Sequence, residues 1–305
     1  MTIPRILAAL AVLFLVPSAP ESRGQANWPA LPYTVVPDWP ALPDGWNLGE
    51  TASVAVDGDD NVYVFNRSPH PLIQFDPAGK FRRSLLEGMI TSAHGVRIDS
   101  YGNIWAVDVK GHTVLKLNPA GRVAMVLGRR DVAGESDTNF NQPTDVAVAP
   151  NGDFYVTDGY GNSRVMKFSK DGDLLLKWGK KGAGPGEFNL PHAVVLDARG
   201  QVYVADRENN RVQIFTPEGR FVKEWTGLGS PWGLAITPKQ EIFMSDGKNN
   251  RVLKLSLEGR VLGVLGGPGK KPGQFAYAHH LTVSKRGEIY VAEILNWRVQ
   301  KFVPR

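Results

Sequence analysis

Three histidines occupy the same position of a repeated pattern and could together bind a metal ion. His94, His192 and His279 each lie ten residues before a strand-like hydrophobic segment. The pattern occurs six times, and the intervening copies carry other residues at this position: Ala52, Thr144 and Trp232. Three neutral imidazoles that leave one coordination position open are a known ligand set of catalytic zinc. The alternation therefore predicts a zinc site shared by three alternate repeats around a common axis.

Two arginines break the repeat at a second position. Arg67 and Arg207 come five residues after the start of the hydrophobic segment, where the other copies carry Val109, Gly159, Gly247 and Ile294. In a hairpin, the end of one strand and the start of its partner face the same way. We therefore expect Arg67, Arg207 and the adjacent Tyr160 to lie near the histidines. Guanidinium groups bind carboxylates in bidentate fashion, and a phenol beside a metal is a candidate base.

Other arginines repeat regularly and are interpreted differently. They recur at one site of the third strand, opposite a recurring acid, in four copies. This regularity predicts structural ion pairs between Asp158 and Arg164, Asp206 and Arg211, Asp246 and Arg251, and Glu293 and Arg298.

The six copies have the sequence features of β-propeller blades. Each contains short segments rich in β-branched and aromatic residues, separated by Gly, Asp and Asn turns, with a period of about 40–50 residues. The second strands begin at Val62, Ile104, Phe154, Val202, Ile242 and Ile289. The sequence therefore predicts an all-β, six-bladed propeller over residues 52–305, with the first strand of each blade lining the central channel.

The N-terminal segment 27–51 is expected to close this ring. It is rich in proline and tryptophan, and proline at this density is incompatible with a helix. Its one strand-like piece is Tyr33–Val36, whereas the last copy lacks a fourth strand. We expect Tyr33–Val36 to complete the sixth blade and to cover an otherwise exposed edge.

Residues 1–26 are predicted to be a signal peptide. Arg5 precedes the apolar run Ile6–Val16, which is shorter than the ~20 residues that a membrane span needs. We therefore expect an exported protein, periplasmic or extracellular, that is monomeric and has no membrane contact after cleavage. There is no cysteine, and the net charge of +5 includes no basic run interleaved with aromatic residues. These features argue against a disulfide framework and against nucleic acid as a partner.

Several long motifs resemble those of peptidyl-α-hydroxyglycine α-amidating lyase, a family of propellers built from NHL repeats. The resemblance extends from about Val54 to Phe302 and is carried by His94-Gly95-Val96, Gln142-Pro143-Thr144-Asp145-Val146, Asp158-Gly159-Tyr160-Gly161-Asn162-Ser163-Arg164, Pro191-His192 and Val204-Ala205-Asp206-Arg207-Glu208-Asn209. It implies a zinc ion held by the three histidines, and an active site that contains Tyr160, Arg67 and Arg207. The reaction it implies is cleavage of the C–N bond of a peptidyl- or N-acyl-α-hydroxyglycine to an amide and glyoxylate.

The chain also departs from this family. The resemblance implies a structural calcium ion near an acidic residue that follows the third histidine, but His280 stands there. A separate hydroxylating monooxygenase is expected to supply the substrate. Two alternatives are a non-catalytic NHL propeller that binds a peptide or protein, and a calcium-dependent propeller hydrolase or lactonase. The latter needs acidic and amide ligands around the channel, and the intervening positions do not supply them.

Overall fold

Six four-stranded antiparallel sheets make up the chain from residue 28 to residue 305, the range that the computed structural model describes. The predicted signal peptide lies outside the described residues. Within residues 28–305, no helix has the length and apolar character needed to cross a membrane.

The first three blades follow one another along the chain. Blade 1 contains β2 (Thr51–Val56), β3 (Val62–Asn66), β4 (Leu72–Phe75) and β5 (Phe81–Leu85). Blade 2 contains β6 (Ala93–Ile98), β7 (Ile104–Asp108), β8 (Thr113–Leu117) and β9 (Val123–Gly128). Blade 3 contains β10 (Pro143–Val148), β11 (Phe154–Asp158), β12 (Arg164–Phe168) and β13 (Leu174–Trp178).

The last three blades include the one that joins both ends of the propeller. Blade 4 contains β14 (Pro191–Leu196), β15 (Val202–Asp206), β16 (Arg211–Phe215) and β17 (Phe221–Thr226). Blade 5 contains β18 (Pro231–Ile236), β19 (Ile242–Asp246), β20 (Arg251–Leu255) and β21 (Val261–Leu265). Blade 6 contains β22 (Ala278–Val283), β23 (Ile289–Glu293), β24 (Arg298–Pro304) and the N-terminal β1 (Tyr33–Val36).

The ring is closed by β1, as predicted. This strand pairs antiparallel with β24, with Val35 opposite Phe302, so that blade 6 has the order β1-β24-β23-β22. The N-terminal strand therefore covers the backbone edge of β24 that would otherwise be free to pair with another chain. It also holds the two ends of the propeller together without a disulfide bond.

Six hydrophobic clusters fill the six spaces between neighbouring blades. Between blades 2 and 3, for example, Trp105 of β7 packs on Phe154 of β11 with ring centroids 4.5 Å apart. The second strands are buried on both faces, which explains why they read as continuous apolar runs. An outer strand such as β17 is largely exposed.

A β-bulge near the start of each inner strand determines where the site residues point. In all six inner strands the pairing with the second strand shifts after the first residue. A bulge re-aims the extra side chain away from its regular face. The bulged positions include those of the three histidines. The last residues of the same strands meet at the other end of the channel, around a cavity of about 330 Å³.

Candidate metal centre and active site

His94, His192 and His279 converge at one end of the channel. They are the second residues of β6, β14 and β22, and their possible ligand atoms all lie within 4.8 Å of one another. Their exposed fractions are 0%, 0% and 2%, so all three imidazoles are buried. The three histidines that the repeat singled out are therefore adjacent in space, in a geometry that can hold a metal ion.

Each of these imidazoles is oriented by a backbone carbonyl of the next blade. Nδ1 of His94 lies 2.7 Å from the oxygen of Thr144, Nδ1 of His192 lies 2.5 Å from that of Trp232, and Nδ1 of His279 lies 2.6 Å from that of Ala52. A carbonyl can only accept, so each Nδ1 carries the proton and donates it. The lone pair of each Nε2 is thereby left for a metal, and the hydrogen bond increases its basicity.

The surroundings keep the three histidines neutral. Burial lowers the pKa of His94 and His192 well below its usual range, and the neighbouring imidazoles lower it further. Burial also lowers the pKa of His279, to about 3, with a contribution from the guanidinium groups of Arg67 and Arg207. A metal ligand must be unprotonated, so this electrostatic environment favours metal binding at neutral pH.

These pKa values predict how the metal-free protein responds to acid. The unfolded chain binds protons on these histidines near pH 6.5, whereas the folded chain does so only at lower pH. Their contribution to stability is therefore complete above pH ~6.5 and is lost as the pH falls below the ordinary pKa of histidine toward the depressed pKa values of the folded chain. We expect the Tm of the wild type to fall more steeply than that of His192→Ala between about pH 6.5 and 4. Thermal unfolding in metal-free buffers tests this, and equal slopes would contradict the assignment.

Tyr160 and Arg207 lie directly against the histidine cluster. The hydroxyl of Tyr160 is 3.3 Å from Nε2 of His94 and 3.2 Å from Nε2 of His192. Arg207 donates from Nη1 to this hydroxyl at 3.2 Å, and its guanidinium packs on the rings of Tyr160 and Trp232. Tyr160 is 37% exposed. The phenol of Tyr160 therefore contacts both solvent and the histidines.

Arg67 lies on the other side of the histidine cluster and has different partners. Its Nε donates to the carbonyl of Ala93 at 3.2 Å, and its Nη1 forms a 2.6 Å ion pair with Glu50. Arg207 also has an acidic partner, since its Nε donates to Glu208 at 2.9 Å. Neither Glu50 nor Glu208 is marked as an arginine partner by the repeat pattern. The structure thus places all six singled-out residues at one end of the channel, but of the two arginines only Arg207 contacts Tyr160.

The interpretation of the recurring arginines as structural is confirmed. Each pairs with the acid at the end of the preceding strand, at distances of 2.9, 2.7, 2.9 and 2.6 Å for the pairs Arg164–Asp158, Arg211–Asp206, Arg251–Asp246 and Arg298–Glu293. Three of these arginines, Arg164, Arg211 and Arg298, also donate to carbonyls of the loop that leads into the same blade, as Arg211 does to Gly184 and Glu187. Their role is to hold the loops at the mouth of the channel in place.

Sequence reasoning did not find the groups that orient the histidines. They are backbone carbonyls, so the residue types of Ala52, Thr144 and Trp232 carry no signal of this role. The signal that could have found them is positional, because all three share the register of the histidines and alternate with them.

Known proteins support the repeat and the fold. The NHL repeat family matches residues 140–168 and 188–215. The human NHL repeat-containing protein 3 is 34% identical over 87% of this chain and 82% of its own length. The Drosophila melanogaster peptidyl-α-hydroxyglycine α-amidating lyase 1 is 30% identical over 92% of this chain and 64% of its own length. A streptogramin B lyase structure, 16% identical, superposes with a TM-score of 0.63 over 90% of this chain and 98% of its own, and shows the fold alone.

Some relatives are much longer than this chain. Peptidyl-glycine α-amidating monooxygenase A of Xenopus laevis is 36% identical over 61% of this chain, but the match covers only 23% of that protein. Taken with the six-bladed ring and the matched repeats, these similarities establish that the chain belongs to the NHL-repeat β-propeller family and is a relative of the peptidyl-α-hydroxyglycine α-amidating lyases.

Proposed function

We propose that this protein is a zinc-dependent carbon–nitrogen lyase that converts peptidyl- or N-acyl-α-hydroxyglycines to an amide and glyoxylate. The observation that carries the proposal is the hydroxyl of Tyr160, which lies within 3.3 Å of two ligand nitrogens of the metal centre and 3.2 Å from Arg207. A base, a cation and a metal centre thus meet at one point. The relatives named as amidating lyases support the same reaction class.

The donor set fits zinc. His94, His192 and His279 supply three neutral nitrogen ligands, and the chain contains no thiolate. Imidazole ligands suit zinc, copper, iron and nickel, and three of them with an open fourth position are a catalytic zinc arrangement. When bound here, zinc would make a coordinated substrate hydroxyl group more acidic.

The side chains of the site would then transfer the proton of the substrate α-hydroxyl group and stabilise the negative charge of the phenolate. Tyr160, in its phenolate form, accepts the proton of the α-hydroxyl group while Arg207 stabilises the phenolate. The hydroxyl oxygen becomes the aldehyde oxygen of glyoxylate as the C–N bond breaks. The electron pair of that bond stays on the amide nitrogen. This nitrogen then accepts from Tyr160 the proton that came from the α-hydroxyl group. Arg67, on the other side of the histidines, is assigned to the substrate carboxylate.

The test is turnover of α-hydroxyhippurate by protein purified without chelators. We expect close to one zinc ion per chain, and equal amounts of benzamide and glyoxylate, because the proposed cleavage neither adds nor removes atoms. Metal content by mass spectrometry and product amounts by liquid chromatography measure both. Zinc-loaded protein that releases no glyoxylate from this compound or from hydroxyglycine-extended peptides would contradict the proposal.

The similarity to NHL repeat-containing protein 3 supports a second candidate, a non-catalytic propeller that binds a peptide or protein. Such a protein requires no tightly bound metal, and its binding would survive loss of Tyr160. The two candidates therefore differ in metal content and in the effect of a substitution at this one residue.

Three further expectations accompany the lyase proposal. The chain is exported after removal of residues 1–26, it acts as a monomer, and a separate hydroxylating monooxygenase supplies its substrate. Such a partner is expected because the lyase substrate already carries an α-hydroxyl group, which a monooxygenase can introduce into a glycine-extended precursor.

A further inference from the structure

A buried ion pair joins blades 2 and 3 below the histidine cluster. Arg97 of β6 meets Asp145 of β10, with Nε of the guanidinium 3.0 Å from Oδ1 and Nη2 2.5 Å from Oδ2. The side chain of Asp145 is fully buried and that of Arg97 is 16% exposed. Arg97 also lines the cavity at the far end of the channel. Neither residue has a part in the proposed reaction.

The remaining hydrogen bonds of this pair join four blades. Nη2 of Arg97, in blade 2, also donates to the carbonyl of Leu234, in blade 5, at 2.9 Å. Blades 2 and 5 are opposite one another in a six-bladed ring, so the guanidinium reaches across the channel. Oδ2 of Asp145, in blade 3, accepts from the backbone N–H of Val194, in blade 4, at 3.1 Å. A glycine at position 95 leaves room for this carboxylate, because a Cβ there would lie 3.0 Å from its Oδ1.

His280 completes the same layer and is unsuited to binding calcium. It is fully buried, and neither of its ring nitrogens has a hydrogen-bond partner among the described residues. Its ring centroid is 5.7 Å from that of His94 and 5.1 Å from that of His279. Calcium is bound by six to eight oxygen atoms, and His280 offers only nitrogen. The guanidinium of Arg97 lies nearby, and its positive charge would repel a calcium ion. These residues therefore do not fit the calcium ion that the family resemblance implies.

We propose that the guanidinium of Arg97 supplies, inside this channel, the positive charge that a structural calcium ion would otherwise supply. It neutralises the buried carboxylate of Asp145 and ties opposite sides of the ring together. The propeller therefore folds without calcium. This inference concerns stability and is independent of whether the protein is a lyase.

Calcium binding to the wild type is the direct test. We expect protein purified in calcium-containing buffer and then desalted to retain no stoichiometric calcium by mass spectrometry. Its Tm, with zinc present throughout, should respond equally to calcium and to magnesium. One calcium ion per chain, or a saturable rise in Tm specific to calcium, would overturn the proposal. These measurements hold whether or not any variant folds.

Variants test the part played by Arg97. Arg97→Ser leaves the carboxylate of Asp145 buried without its partner, and we expect it to lower the Tm by roughly 10 °C. His280→Asp alone should not respond to calcium, because Arg97 still supplies the charge. The double variant R97S/H280D places two carboxylates in the channel without a cation, so calcium should raise its Tm.

A matched control breaks a buried ion pair outside the channel. Arg164→Ser removes the partner of Asp158, and calcium should not raise the Tm of this variant. The proposal is overturned if Arg97→Ser is as stable as the wild type, or if calcium raises the Tm of His280→Asp as much as that of the double variant.

Discussion

His192→Ala is expected to lose bound metal and lyase turnover together. The substitution removes one of three ligand nitrogens and leaves the carbonyl of Trp232 without its donor. Changes to the outer partners of metal ligands already reduce affinity or activity by 10–100-fold. Removal of a ligand should therefore reduce both by more than about 100-fold. Metal per chain and glyoxylate release should be measured on the same preparation.

His70→Ala is the matched control for this experiment. His70 stacks on Trp46 and lies 3.6 Å from Glu87, and it is not part of the histidine cluster. We expect this variant to retain both metal and turnover. Full turnover by His192→Ala protein that contains no metal would show that the reaction does not need the metal centre.

Tyr160→Phe is expected to retain the metal and to lose turnover. The phenyl ring can keep its packing against Arg207, whereas the hydroxyl that would accept the substrate proton is removed. Loss of a positioned acid–base group lowers the rate by typically 10²–10⁴-fold. We expect kcat to fall within this range with little change in KM, because the ligand nitrogens and both arginines remain. Steady-state glyoxylate release and metal analysis together distinguish this result from loss of the metal.

Tyr101→Phe provides the control for removal of a phenolic hydroxyl. Tyr101 lies in the turn after β6, is 61% exposed, and donates to the carbonyl of Pro150 away from the metal centre. This variant should be as active as the wild type. Unchanged kcat in Tyr160→Phe would exclude the phenolate as the base. Binding of a peptide that survives this substitution, in protein without metal, would favour the non-catalytic alternative.

The different surroundings of the two arginines refine the proposed roles. Arg207 donates directly to the hydroxyl of Tyr160, which supports a role in stabilising the phenolate. Arg67 makes no such contact and is paired with Glu50 at 2.6 Å. A substrate carboxylate that binds Arg67 must therefore share or displace this acid. The sequence alone suggests that Arg67 assists Tyr160 and that Arg207 either holds the carboxylate or stabilises the phenolate. The contact between Arg207 and Tyr160 instead favours Arg207 as the partner of the phenol.

Periodic features of the chain were predictable without the fold. Segments rich in β-branched and aromatic residues between Gly, Asp and Asn turns identify the strands, and the six copies identify a propeller because each blade needs neighbours to bury its faces. The missing fourth strand of the last copy predicts closure by β1, and the register predicts that three histidines meet. These inferences succeed because each depends on counting positions along the chain.

Contacts between different blades required the tertiary structure. The carbonyls that orient the histidines and the bridge from Arg97 to Asp145 join residues that are far apart in sequence. Backbone carbonyls have no residue type, and the partner of a long arginine depends on which side chains the ring brings within its reach. The amino-acid order thus determines the ring, the closing strand and the positions of the three histidines, whereas their tautomers and the charges around them are decided only where the blades meet.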